Sequence, residues 1–96
     1  MLHTVVQVKP THDFKVYVYF CDGKIKLFNV APMLKKGVFK KISNIDVFME
    51  KCTVINQTLA WDVAGGFDEY NCLDIDPETI YDTGLDVADP LSKKVA

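Results

Sequence analysis

The chain has 96 residues, of which 49% are hydrophobic and 25% charged, with a formal net charge of −2. That length suits one small domain, and the composition excludes a disordered chain. No global basic field attracts nucleic acid, no apolar run is long enough to span a bilayer, and the absence of arginine weakens bidentate reading of phosphate or guanine.

Residues 4–9 read as a first strand, stopped by Pro10, with a turn at residues 11–13. Residues 14–21, rich in aromatic and β-branched side chains, form a second strand. Asp22-Gly23 is a favoured two-residue hairpin loop, and residues 24–30 return as a third strand. That loop predicts a register in which Cys21 faces Lys24, Tyr19 faces Lys26 and Tyr17 faces Phe28. Val16, Val18, Phe20, Ile25 and Leu27 then share the core face. Lys15, Tyr17, Tyr19, Cys21, Lys24, Lys26 and Phe28 share the other, expected to lie under the chain's own short helices.

Pro32 opens a helical turn that Gly37 closes. Ser43 is placed to cap a short helix through Phe48. Residues 51–55 and 58–61 read as two more strands around an Asn56-Gln57 turn. Residues 62–71 form a loop, and residues 73–75 pair briefly. A helix follows, ending at Gly84. The expected architecture is α+β: a small antiparallel sheet of about five short strands, with two or three short helices in one layer on one face. Residues 1–84 form the domain, and residues 85–96 are expected to fray.

The helix start, Ile75-Asp76-Pro77-Glu78-Thr79-Ile80, has a structural use for each residue. Asp76 suits the N-cap, accepting from the amides of residues 78 and 79. Pro77 suits the first helical position. Glu78 meets the positive end of the helix dipole, and Ile75 and Ile80 form a hydrophobic staple. The competing reading is a cation site built from Asp68, Glu69, Asp74, Asp76 and Glu78. Their spacing does not match a calcium loop, so neither a metal nor a cofactor is expected.

Cys21, Cys52 and Cys72 are odd in number and lack a C-x-x-C pair, so buried free thiols are expected rather than disulfides or zinc. The first ten residues lack the apolar core of a signal peptide, which together with the thiols predicts a cytoplasmic protein. His12-Asp13 sits in a turn, His3 near a terminus, and neither has a nucleophile beside it in sequence. Enzymatic activity is therefore not expected.

Charge is segregated. Residues 1–51 carry nine lysines and four acids, a net +5, whereas residues 52–96 carry two lysines and nine acids, a net −7.

The ordered motifs V-x-V-x-P (6–10), F-C-D-G-K (20–24), N-V-A-P-M-L (29–34), G-V-F (37–39), W-D (61–62) and L-D-I-D-P-E-T-I-Y (73–81) resemble a bacterial domain-of-unknown-function family, DUF2442. The resemblance covers residues 5–81 and implies a small α+β fold. Some of that family's members are fused to a DNA-binding helix-turn-helix domain. Members often lie beside another small protein, as toxin–antitoxin pairs do. The link between Trp61 and Cys72 is longer and more acidic here than the family's short W-P-N-G style link.

The expectation is a small acidic, antitoxin-like or inhibitor-like module that binds a basic or nucleic-acid-handling protein, including a phage-encoded inhibitor of a defence nuclease. Asp62, Asp68, Glu69, Asp74 and Glu78 are its candidate contact residues. The alternative is a nucleic-acid-binding regulatory domain using Tyr17, Tyr19, Lys24 and Lys26 as a stacking face. Exposed sheet edges suit a homodimer.

Overall fold

The first sheet is set by two loops of one design. It begins with β1 (Val5–Pro10), β2 (Lys15–Phe20) and β3 (Ile25–Asn29), all antiparallel in a computed structural model that describes residues 3–66, 68 and 70–90. At the β2–β3 loop the Phe20 N–H donates to the Lys24 carbonyl at 2.9 Å, and the Gly23 N–H donates to the Phe20 carbonyl at 3.0 Å. At the β1–β2 loop the Thr11 N–H donates to Lys15 at 2.8 Å and the Phe14 N–H to Thr11 at 3.4 Å. Each is a three-residue loop with its last residue in the left-handed region. Gly23, at φ 91°, adopts that conformation without a Cβ penalty; Phe14, at φ 64°, does not. The Phe14 ring is instead held edge-on to Phe48, with centroids 5.0 Å apart.

This geometry corrects the expected β2–β3 register. A two-residue loop of either favoured type would need positive φ at Asp22, and of the two residues only Gly23 has it. The observed pairs are Val16↔Phe28, Tyr17↔Leu27, Val18↔Lys26 and Tyr19↔Ile25, one residue away from expectation. A one-residue slip turns every β3 side chain over. Phe28 and Val30 therefore join Val16, Val18 and Phe20 in the core, while Ile25 and Leu27 are only half-buried on the outer face. Cys21, expected to be buried, is exposed in the loop, and Cys52 and Cys72 are half-buried; all three are free thiols.

Two 3-10 helices, Ala31–Met33 and Gly37–Ile42, lead to α1 (Ile45–Lys51). The cap of α1 is Asn44, not Ser43: the Asn44 side chain accepts from the N–H groups of Asp46 and Val47. The Ser43 hydroxyl donates back to the Lys40 carbonyl at 2.7 Å. A second antiparallel sheet follows, with β4 (Cys52–Ile55), β5 (Thr58–Trp61) and β6 (Leu73–Asp74). Asn56 and Gln57 both have positive φ, which makes their turn the mirror-image type that matches strand twist. Helix α2 (Pro77–Thr83) starts as expected on Asp76, whose side chain accepts from Glu78 N–H at 3.2 Å. Pairing then continues past Gly84, where β7 (Leu85–Asp86) adds to β3 and completes a four-stranded sheet in the order β1-β2-β3-β7.

The core lies between the two sheets and their helices. Val5, Val16, Val18, Phe20, Phe28 and Val30 meet Ile42, Phe48, Leu59, Trp61, Leu73, Ile75 and Ile80. Among the described residues no helix is long and apolar enough to cross a membrane.

Gly84 ends α2 for want of space rather than for a left-handed turn. Its backbone is extended, at φ −71° and ψ 155°. A Cβ there would lie 2.8 Å from the Ile80 carbonyl oxygen and 2.9 Å from Lys26 Cβ. Gly84→Ala is therefore expected to cost about 1–3 kcal/mol as an overpacked site. Urea unfolding checks this, with a lowered midpoint at unchanged slope.

Candidate functional site

The acidic half of the chain is built onto the link after β5. The Asp62 N–H donates to the Lys51 carbonyl at 3.0 Å, which fixes the start of the link beside the end of α1. Asp68 organises its far side. Its carboxylate accepts from the Tyr70 N–H at 2.9 Å and from the Asn71 side-chain amide at 2.6 Å. The Asn71 amide, and after it the Tyr70 N–H, hold the Asp68 carboxyl below the usual range. Asp74 is exposed on β6, opposite Ala60.

These three carboxylates act on a common point. The Cys72 thiol is pushed up, by burial first, then by the charge of Asp74, with smaller contributions from Asp62 and Asp68. A raised thiol is a poor nucleophile, so Cys72 reports the local negative field rather than a reactive centre. Of the other candidates, Glu69 lies outside the described residues. Glu78 belongs to a different arrangement. Among the described residues no three His, Cys, Asp or Glu side chains are placed to hold a metal ion.

Glu78 is tied to the N-terminal segment. Its Oε2 accepts from the His3 N–H at 2.6 Å, and its Oε1 lies 2.7 Å from His3 Nδ1. The His3 ring stacks on Tyr81, with centroids 3.5 Å apart and planes at 15°. Phe20 meets the Tyr81 ring edge-on at 5.0 Å. The Tyr81 hydroxyl donates to Asp22 Oδ2 at 2.6 Å, and Lys26 Nζ lies 4.9 Å from the Tyr81 ring centroid and 2.6 Å from Asp86. The β2–β3 loop, β3, α2 and β7 are thus joined through one tyrosine. Each of these polar groups has a partner within the set, so the arrangement ties the fold together rather than presenting an open site.

Sequence reading missed this network because its partners lie 59 and 75 residues apart. Locally, Asp22 belongs to the F-C-D-G-K motif and Glu78 and Tyr81 to L-D-I-D-P-E-T-I-Y.

The network makes stability depend on pH in two windows. His3, through its N–H first, depresses Glu78; the Tyr81 hydroxyl depresses Asp22; and Lys26 depresses Asp86. Groups with depressed folded values stabilise above their ordinary values of 4.5 for Glu and 3.8 for Asp, and that contribution is lost as pH falls further. Tyr81 runs the other way. Its hydrogen bond to Asp22 raises it from 10.0 to about 12, and burial raises Cys52 from 9.0 to about 12. Their contributions are complete below the ordinary values and are lost as pH rises through about 12. Urea midpoints measured across pH are expected to fall at both ends. Tyr81→Phe should remove the Tyr81 share of the alkaline loss and leave the shares of the two raised thiols, Cys52 and Cys72.

The alternative stacking face is not assembled as expected. Tyr17 and Tyr19 stand on the outer face with Ile25 and Leu27, beside Gln7 and Lys9 of β1. Lys24 and Lys26 turn to the opposite side, and Lys26 is only 8% exposed. Tyr17 and Tyr19 are half-buried, and the Tyr19 hydroxyl donates to Asp89 Oδ1 at 2.7 Å, so the segment after β7 lies against this face.

The fold and these surfaces define a small α+β protein with two antiparallel sheets and an acidic link after β5. The chain belongs to the family described as Protein of unknown function (DUF2442), whose model matches residues 5–85. No curated protein and no solved structure matches it.

Proposed function

We propose that the protein is a small cytoplasmic binding module that acts by contact, docking the acidic link between β5 and α2 on a basic protein partner. The observation that carries this reading is the placement of Asp62, Asp68 and Asp74 along the one stretch that joins β5 to α2, with Asp68 fixed by the Tyr70 N–H and the Asn71 amide and Asp74 exposed on β6. A cluster of one charge sign raises encounter rates with an opposite patch and rejects like-charged competitors. A basic nucleic-acid-handling protein, held in the manner of an antitoxin or an inhibitor, is the partner such a surface suits.

The test compares wild type with Asp62→Asn/Asp68→Asn/Asp74→Asn as tagged baits in host lysate, each eluted with a salt gradient. The expected result is a basic protein that wild type releases as salt rises, with the triple variant associating about tenfold or more slowly and with a flatter salt dependence. Equal capture and equal salt dependence would sink the reading.

Direct binding of single-stranded nucleic acid is the second reading. It rests on Tyr17 and Tyr19 standing on the outer sheet face beside Lys9, with Lys15 on the same face of β2. A gel shift at low salt decides it, and no shift at high protein concentration removes it.

A further inference from the structure

We propose that the groove between α1 and the link after β5 receives an acidic peptide segment with an apolar side chain, contributed by a protein partner. The groove is open, encloses about 630 Å³, and is lined by Lys41, Val47, Lys51, Val63, Ala64 and Asn71. Val47 and Lys51 are four residues apart on α1, so they share one face of the helix. Lys41 comes from the preceding 3-10 helix and Val63, Ala64 and Asn71 from the link. Val47 and Val63 pack on the margin of the core, which gives the floor a fixed apolar surface.

The lysines decide the sign of the occupant. The ion pairs among the described residues include His3–Glu78, Lys15–Asp13 and Lys26–Asp86, and Lys41 and Lys51 enter none of these. Two ammonium groups beside an apolar floor suit a carboxylate carried next to an aliphatic side chain. Asp68 lies on the link side, bound by the Asn71 amide, so the anionic end belongs against Lys41 and Lys51 on the α1 side. Asn71 gives one side-chain N–H to Asp68, which orients its amide and leaves the carbonyl oxygen to accept a peptide N–H. The groove is open to solvent rather than enclosed, which suits a segment laid on the surface more than a buried small molecule. Its recognition is the opposite in sign to that of the acidic link, and the two are separable by mutation.

The test is a nitrogen-15 amide titration of the full chain with an acetylated, amidated Leu-Glu-Leu-Leu peptide. The Leu-Gln-Leu-Leu counterpart, octanoate and a single-stranded oligonucleotide serve as the other arms. Saturable shifts at Val47, Val63, Ala64 and Asn71 are expected with the glutamate peptide. Affinity is expected to fall about tenfold or more with the glutamine peptide or with Lys41→Gln/Lys51→Gln. Lys35→Gln, at an exposed lysine outside the groove lining, is expected to bind unchanged. Lys41 is exposed and Lys51 half-buried, and an unchanged spectrum away from the groove verifies that the double variant is folded. Absent or unsaturable shifts, equal binding of the two peptides, or a response only to octanoate or only to the oligonucleotide would each overturn the proposal.

Discussion

Trp61→Ala is expected to lower the unfolding free energy by about 3–5 kcal/mol, enough to unfold a marginal small domain near body temperature. Trp61 ends β5 and is fully buried. Its ring tilts against Phe48 at 5.5 Å, and Phe48 in turn receives the edge of Phe14 at 5.0 Å. Truncation would remove the largest side chain at the centre of the core and leave Phe48 without its neighbour on one side. It would also delete the indole N–H that donates to the Phe48 carbonyl at 3.1 Å, leaving a buried acceptor unpaired. Trp61→Phe keeps most of the ring contact but still loses the donor, and should fall between the two. Equilibrium urea unfolding of the three proteins measures the ordering. A Trp61→Ala loss below about 1 kcal/mol would contradict the packing described.

Lys26→Glu carries the second large effect, about 3 kcal/mol or more, because it places an unpaired carboxylate where a cation is enclosed. Lys26 Nζ lies against the face of Tyr81 and 2.6 Å from Asp86. A carboxylate there would meet Asp86 and the electron-rich ring at once, with Asp22 and Glu78 also acting on that tyrosine. Lys26→Met separates charge from packing. It keeps an unbranched stem beneath Tyr81, and Asp86, whose side chain is 65% exposed, can return to water. A loss of only about 1 kcal/mol is expected for it, comparable to one cation–π contact. If Lys26→Met were as damaging as Lys26→Glu, shape rather than charge would govern the site.

Local chemistry made α2 readable in advance. Asp76 and Pro77 act within one turn, so their geometry depends little on distant residues. The cap of α1 was harder. Ser43 and Asn44 are adjacent candidates, and only the path of the preceding 3-10 helix turned Ser43 back toward Lys40. The acidic candidates show the same division. Their clustering in the second half is a matter of composition, but α2 carries Glu78 away to His3, while the link gathers Asp62, Asp68 and Asp74.

By itself the sequence determined the α+β class, the order and hairpin connection of the main strands, the α2 start, and the separation of positive from negative charge. These follow from side-chain periodicity, turn chemistry and composition, which act over a few residues or need no geometry. Tertiary structure decided which face of β3 is inside, since a two-residue and a three-residue loop around Asp22-Gly23 differ by one step of register and opposite faces. It also decided the pairing of Leu85 and Asp86 with β3 and the His3–Glu78 and Asp22–Tyr81 contacts. The lysine-walled groove arose in the same way. Partners so far apart in the chain leave no local pattern, and packing of the two sheets brings them together.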